Sequence, residues 1–419
     1  MTIIGLYLLI GLFIIGYVAI ILESYVRVNK TAVSVALAGT LWIIYFLAGG
    51  VENPSIDLSH HLSEVSQVIF FLLGAMTLVE LIDSHKGFNT VVRMIHTTSK
   101  RRMLVIISFF TFFLSSVLDN LTTTILMISV LRKLVPDRNE RLTLNCMVVI
   151  AANAGGAWTP IGDVTTTMLW INGRVSTFAV MTKVIIPSLI SMFVPLSIFA
   201  FFTKGRYTND LNELFSEDSE PGATLVFTLG ILSFLAVPFL KWATGIPPFM
   251  GMLIGLAFLW LVTDVIHFKY NNREHLRVPH ILTKIDISSI LFFMGILLSI
   301  NALEAVGVLK NIAVWLDSIT SNGLIIATFI GLVSAIIDNI PLVAAAIGMY
   351  DINNYGMDNP FWMMVAFTAG TGGSLLSVGS AAGVALMGIE KVDFISYMKK
   401  ATIPALLGYL LGVYYFTFI

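Results

Sequence analysis

At 419 residues, with 57% hydrophobic and 12% charged positions and a mean hydropathy of +0.89, the chain has too little polar surface for a soluble domain of its size. Repeated apolar runs of membrane-spanning length put it in a lipid bilayer instead. The net charge of −1 comes from charges confined to loops and makes no case for a nucleic-acid partner; the single cysteine, Cys146, excludes an internal disulfide and speaks against a thiolate metal site.

Apolar segments fall at 3–22, 31–48, 67–83, 103–135, 142–170, 182–203, 223–240, 246–265, 286–303, 323–350, 361–388 and 401–418. No basic stretch of the kind that opens a cleaved signal peptide precedes the first of them, so 3–22 is predicted to be a retained helix. All 24 Lys and Arg residues lie in the connections or at segment ends. Six connections hold 20 of them: 23–30 two, 84–102 five, 132–141 four, 204–222 two, 266–284 four and 389–400 three. Only Arg174, Lys183, Lys241 and Lys310 fall elsewhere. This bias assigns the six basic connections to the cytoplasm, and both termini to the opposite side.

The alternation requires segment 103–135 to enter and leave on one side, since Lys100, Arg101 and Arg102 precede it and Arg132 and Lys133 end it. Two crossings need roughly 40 apolar residues, and the segment is shorter. It is predicted to be a re-entrant helical hairpin with Asp119-Asn120 at its tip. Segment 323–350 is too short in the same way and its flanks are poor in Lys and Arg. It is predicted to be a second hairpin, entering from the other side, with Asp338-Asn339 at its tip. Irregular backbone at such depth persists only where protein or a wet cavity satisfies it.

The two halves repeat at an offset near 219 residues. Ser115-Ser-Val-Leu-Asp-Asn-Leu-Thr-Thr-Thr124 matches Ser334-Ala-Ile-Ile-Asp-Asn-Ile-Pro-Leu-Val343, and Phe70-Phe-Leu-Leu-Gly74 is similar to Phe292-Phe-Met-Gly295. Asn153-Ala-Gly-Gly-Ala-Trp-Thr-Pro-Ile-Gly162 corresponds to Thr368-Ala-Gly-Thr-Gly-Gly-Ser-Leu-Leu-Ser-Val-Gly379. The fold predicted is therefore an all-α polytopic membrane protein of two repeats, 1–203 and 223–419, joined by an acidic cytoplasmic linker, 204–222. Each repeat has five transmembrane helices, one of them broken (142–170 and 361–388), plus its hairpin. Five is odd, so the repeats are inverted, the arrangement of secondary transporters whose site lies between broken helices at the midplane.

Carboxylates are costly in hydrocarbon, and an intramembrane Asp is a functional-site hypothesis by default. Asp119, Asn120, Asp338 and Asn339 are candidates on that ground. Pro160 and the glycines around it should unwind segment 142–170, freeing carbonyls beside Asn153, Asp163, Thr165 and Thr166. Hard cations want such oxygen ligands. We expect a Na+ site at Asp119, Asn153 and Asp163, with hydroxyls from Thr371, Ser374 and Ser377 of the second broken helix. Glu80, Thr123 and Asn301 are candidate proton-handling or accessory groups. Each Asp has a structural alternative, capping the half-helix that follows it, and the glycine clusters have one in close helix packing. Glu80 has another, snorkelling to the interface. Burial penalises a charged carboxylate, so Na+ or Li+ and a proton compete for the same oxygens. Exchange follows if the loaded site crosses the membrane and the empty one does not. No cofactor is required; the small cations and the proton are substrates.

At these motifs the chain resembles the NhaD-type sodium/proton antiporters of the ion transporter superfamily, over most of its length. The resemblance rests on Phe70-Phe-Leu-Leu-Gly-Ala-Met-Thr-Leu-Val-Glu-Leu-Ile-Asp83, Leu118-Asp-Asn-Leu-Thr-Thr-Thr124, Asn153 to Thr167 and Ile337-Asp-Asn-Ile-Pro341. It implies export of Na+ and Li+ in exchange for H+, a bacterial inner membrane, and a homodimer in which scaffold helices pair while a transport unit moves. A sodium-coupled carrier of an organic anion or arsenite is the alternative within the superfamily. Against it, three aspartates would repel a dianion and no Lys or Arg lies at depth. An intramembrane aspartyl protease is the alternative from another class; whole-chain duplication serves alternating access and not proteolysis.

Overall fold

The computed structural model describes residues 2–21, 23, 28–47, 53–88, 97–135, 137–207 and 220–418. Apolar sequence of this kind satisfies its backbone within helices, and the described residues form no named strand, only a bridge between Ser99 and Arg206. The first half runs α1 (Ile3–Ile21), α2 (Lys30–Leu47), α3 (Pro54–Ser84), α4 (Lys100–Ser115), α5 (Asn120–Leu134), α6 (Arg138–Ala157), α7 (Val164–Ile171) and α8 (Thr177–Phe202). The second runs α9 (Ala223–Thr244), α10 (Pro248–His267), α11 (Ile287–Ala305), α12 (Val308–Ile319), α13 (Gly323–Val333), α14 (Asn339–Met349), α15 (Pro360–Gly372), α16 (Ala381–Glu390) and α17 (Phe394–Phe416). Among the described residues, seven helices are long and apolar enough to cross a membrane, or eight if the bent pair α12–α13 is one span. Most of the linker predicted at 204–222 lies outside the described residues.

Two departures from the sequence expectation have simple causes. The third apolar segment was expected to begin at residue 67, but α3 begins at Pro54, a proline placed where its missing N–H costs nothing. Its first turns carry Asp57, His60, His61 and Glu64, polar residues that hide a helix from a hydropathy count. Residues 308–319 were expected to be connection. They form α12, amphipathic rather than uniformly apolar, which meets α13 at 118°.

The packing has a two-fold character. Helix α2 packs on α11 as α10 packs on α3, α1 on α2 as α9 on α10, α4 on α6 as α13 on α15, and α5 on α16 as α14 on α7; α8 and α17 pack on each other. Exchanging the halves maps these contacts onto themselves. The glycines obey the same exchange. A Cβ on Gly74 would sit 2.7 Å from Met252 of α10, and one on Gly295 2.6 Å from the Ser34 backbone of α2. A Cβ on Gly155 would meet the Phe112 carbonyl, and one on Gly372 the Gly331 carbonyl. These small residues let the backbones of α4 and α6, and of α13 and α15, approach closely.

Helices α1–α3 and α9–α11 thus form one group, and α4–α8 with α13–α17 another. In the second group each short helix is held by the opposite half. Arg132 of α5 donates to the Ile389 carbonyl of α16 at 3.3 Å and lies 2.9 Å from Glu390, which also pairs with Arg141 at 2.9 Å. In the other pair of short helices, Arg174, just after α7, donates to the Ile347 carbonyl of α14 at 3.4 Å.

Candidate functional site

Four helices begin at the centre of this second group, and each starts on a polar residue that caps it. Asp119 caps α5, its Oδ1 accepting from the Thr122 N–H at 2.8 Å and its Oδ2 from the Thr122 hydroxyl at 2.5 Å. Asp163 caps α7, Oδ1 accepting from the Thr165 N–H at 3.1 Å. Asp338 caps α14 through the Ile340 N–H at 3.5 Å, and Ser380 caps α16 through the Gly383 N–H at 3.3 Å. The chain breaks here for local reasons. Before α5 the segment Ser116–Leu118 leaves the helix; before α7 Pro160 lacks a donor and Gly162 sits against the Ser115 carbonyl, which a side chain would strike. Capping, offered above as the alternative to ion binding, is therefore present at all three aspartates.

Capping uses one oxygen of Asp163 and leaves the other. Asp163 Oδ2 accepts from Asn120 Nδ2 at 3.1 Å, and the same amide reaches Asn153 Oδ1 at 3.0 Å. Asn153 in turn donates to the Ser380 hydroxyl at 2.9 Å. The chain Asp163–Asn120–Asn153–Ser380 thereby joins α7, α5, α6 and the start of α16, with all four residues buried. The Asn120 amide group holds a partly positive position between two oxygens, the place and polarity a small cation would take.

Beside this chain lies a cavity of about 50 Å³. The first turns of all four half-helices reach it: Asp119 to Thr122, Asp163 and Val164, Asn339 and Ile340, and Ala381. Its opposite wall is mostly apolar and comes from the other helix group, with Phe71, Leu72 and Val79 of α3 and Phe234 of α9, and Ser289 of α11 as a polar exception. No Lys, Arg or His is among its described lining residues. Asn339, which lines it, has an amide nitrogen without a hydrogen-bond partner, and the buried hydroxyls of Thr123 and Thr124, which follow the lining residues of α5, also lack one. A buried donor or acceptor left unmade costs on the order of 1–3 kcal/mol, and these groups are where an ion or water would be welcome.

Other sequence candidates lie apart from the cavity or are used locally. Asp338 is not among the residues lining it, whereas its neighbour Asn339 is. Thr371 bonds to the Phe367 carbonyl at 2.6 Å, Ser374 to the Thr371 carbonyl at 2.5 Å, and Ser377 to Met387 Sδ at 3.1 Å. Thr166 bonds to the Ala157 carbonyl at 3.2 Å. Glu80 stands near the end of α3, accepting from Ser84 at 3.2 Å with Lys284 Nζ 4.0 Å away. Asn301 lines a separate polar chamber with Glu64, Asn172, Arg174 and Glu304. Ser380 holds in the second half the capping place that Asp163 holds in the first.

Residues 17–370 match the family described as citrate transporter, CitMHS. Sodium/proton antiporter 2 of Arabidopsis thaliana is 49% identical over 406 residues, covering 96% of this chain and 97% of that protein. Sodium/proton antiporter 1 of the same plant is 49% identical over 405 residues, covering 96% of this chain and 70% of its own. The Na(+)/H(+) antiporter NhaD of Vibrio cholerae is 31% identical over 434 residues, covering 96% and 89%. An all-helical chain with at least seven candidate spans, alike over nearly its full length to these proteins, is a multi-pass membrane transporter of the CitMHS family, and within the ion transporter superfamily it belongs with the NhaD-type antiporters.

Proposed function

We propose that the chain is a secondary active antiporter that exports Na+, and Li+ by the same route, in exchange for protons. The observation that carries this reading is Asp163: buried, capped through one oxygen, and offering the other to Asn120 beside a cavity with a second carboxylate and no basic lining residue. Names borne by the relatives point the same way.

Charge accounting favours one small cation. A helix N-terminus carries roughly half a positive charge, so four converging ends give about +2. With Asp119, Asp163 and Asp338 ionised the sum is about −1, a deficit that one Na+ or one proton cancels. When Na+ arrives, Asn120 turns its carbonyl inward, and Asp163 Oδ2, Asn153 Oδ1 and Asn120 Oδ1 supply hard oxygen ligands. When a proton arrives, Asp163 becomes neutral and the cation loses its strongest ligand. Neither state leaves net charge at the centre, so both are suited to cross, and the empty ionised site is not.

We read the two halves as inverted repeats, with α4–α5 and α13–α14 as re-entrant hairpins entering from opposite sides. The exchange of contacts between halves supports this. Helices α4–α8 and α13–α17 then move against α1–α3 and α9–α11, which we expect to pair in a homodimer. Both termini face away from the cytoplasm, and the expected location is a bacterial inner membrane. An organic-anion carrier would need a cationic lining where this cavity has carboxylates.

The test is exchange in proteoliposomes holding a pH dye and an imposed proton gradient. Na+ or Li+ dissipates the gradient, and citrate is not taken up. A gradient untouched by Na+, Li+ and K+, with sodium-driven uptake of citrate, would hand the site to the anion reading.

A further inference from the structure

The extra turns at the start of α3 carry side chains that the exchange mechanism above does not use. His60, His61 and Glu64 occupy positions i, i+1 and i+4 of one helix, and their nitrogen and carboxylate ligand atoms all lie within 4.8 Å of one another. Glu64 bridges the pair, with Oε1 4.0 Å from His60 Nε2 and Oε2 3.6 Å from His61 Nδ1. These separations are too long for hydrogen bonds. They are close to the roughly 3.3 Å that separates two ligands each about 2.0 Å from one tetrahedral ion. The His61 ring is buried, 9% exposed, with its centroid 6.0 Å from that of Trp42. Its Nδ1 has no hydrogen-bond partner. A buried imidazole nitrogen aimed at a carboxylate it does not bond is an unspent ligand.

We propose that His60, His61 and Glu64 form a binding site for a divalent transition-metal ion of the zinc class, and that occupancy slows transport. The donor set, two imidazoles and one carboxylate, suits Zn2+, Ni2+ or Co2+ and is poorly matched to Mg2+ or Ca2+, which want oxygen alone. Three protein ligands leave a coordination position for water, so binding is reversible.

The consequence for transport comes through Glu64. It also lines a polar chamber of about 140 Å³ together with Asn301 and Glu304 of α11, Arg174, Met168 of α7 and Ala344 of α14. That chamber sits between helices of the static group and the two short helices beginning at the central site. Glu304 presses on α14, where a Cβ on Gly348 would lie 2.8 Å from Glu304 Oε2. An ion that holds Glu64 against α3 removes its charge from the chamber wall and stiffens one side of the seam. This second half of the proposal rests on the antiport reading; the binding half does not.

The experiment has two arms on the full chain, freed of any polyhistidine tag. Calorimetric titration of purified protein with ZnCl2 is expected to give one site per chain, with affinity at least tenfold weaker in His61→Ala and in the exposed-side variant His60→Ala, and with no heat from MgCl2. Sodium-driven proton exchange in proteoliposomes is expected to slow severalfold with zinc on both faces and to recover on adding EDTA, whereas His60→Ala exchanges normally and ignores zinc. Zinc affinity unchanged in both variants overturns the site. Zinc bound without any change in exchange overturns its effect on transport. If wild type binds zinc at this site yet shows no exchange at all, the antiport reading fails and the metal site stands.

Discussion

At the scale of single residues, the central question is how one carboxylate serves as cap and ligand together. Asp163 divides the tasks between its oxygens, Oδ1 for the Thr165 N–H and Oδ2 for Asn120. The two tasks separate by mutation. Asn is as good an N-cap as Asp, so Asp163→Asn keeps the cap on α7 and removes the charge, at the cost of the acceptor that Oδ2 offers Asn120; exchange is expected to fall at least tenfold. Asp163→Ala loses the cap as well and should cost a further ~1 kcal/mol. Thermal melts alongside transport assays decide; equal exchange by Asp163→Asn and wild type would remove Asp163 as the ion ligand. Most of this site was legible in the sequence, because Asp, Asn and broken-helix glycines are rare in apolar segments. The coupling of Asn120 to both Asn153 and Asp163 was not, since it joins residues 33 and 43 positions apart. Nor was the difference between Asp119 and Asp338: they share a motif, but only Asp119 lines the cavity.

At the scale of elements, close backbone contact sets the positions of the half-helices. Gly155 and Gly372 occupy equivalent places, and neither leaves room for a Cβ, since a carbonyl of the partner helix stands there. Gly155→Ala and Gly372→Ala must therefore push α4 from α6 and α13 from α15, each costing about 1–3 kcal/mol and showing as a lowered melting temperature. Gly39→Ala, where nothing lies within 4 Å, is the control, expected to be neutral or slightly stabilising because Ala is the better helix former. Hydropathy located most elements but mis-saw two. The onset of α3 and the whole of α12 escaped because polar residues on one face dilute a window average, although they follow helical spacing.

At the scale of the whole molecule, the two-fold exchange of contacts gives each half-helix of one half of the chain a partner from the other: α5 with α16, and α14 with α7. The ion pairs among Arg132, Arg141 and Glu390 tie the unit together, while the wall facing the cavity, with Phe71 and Phe234, is mostly apolar.

Competition between cation and proton for Asp163 is read by proton release on adding NaCl to purified protein in weakly buffered solution. Na+ and Li+ are expected to release protons from wild type, with a larger salt requirement at lower pH, and to release none from Asp163→Asn. Sodium binding without proton release from wild type, or undiminished release from Asp163→Asn, would contradict it.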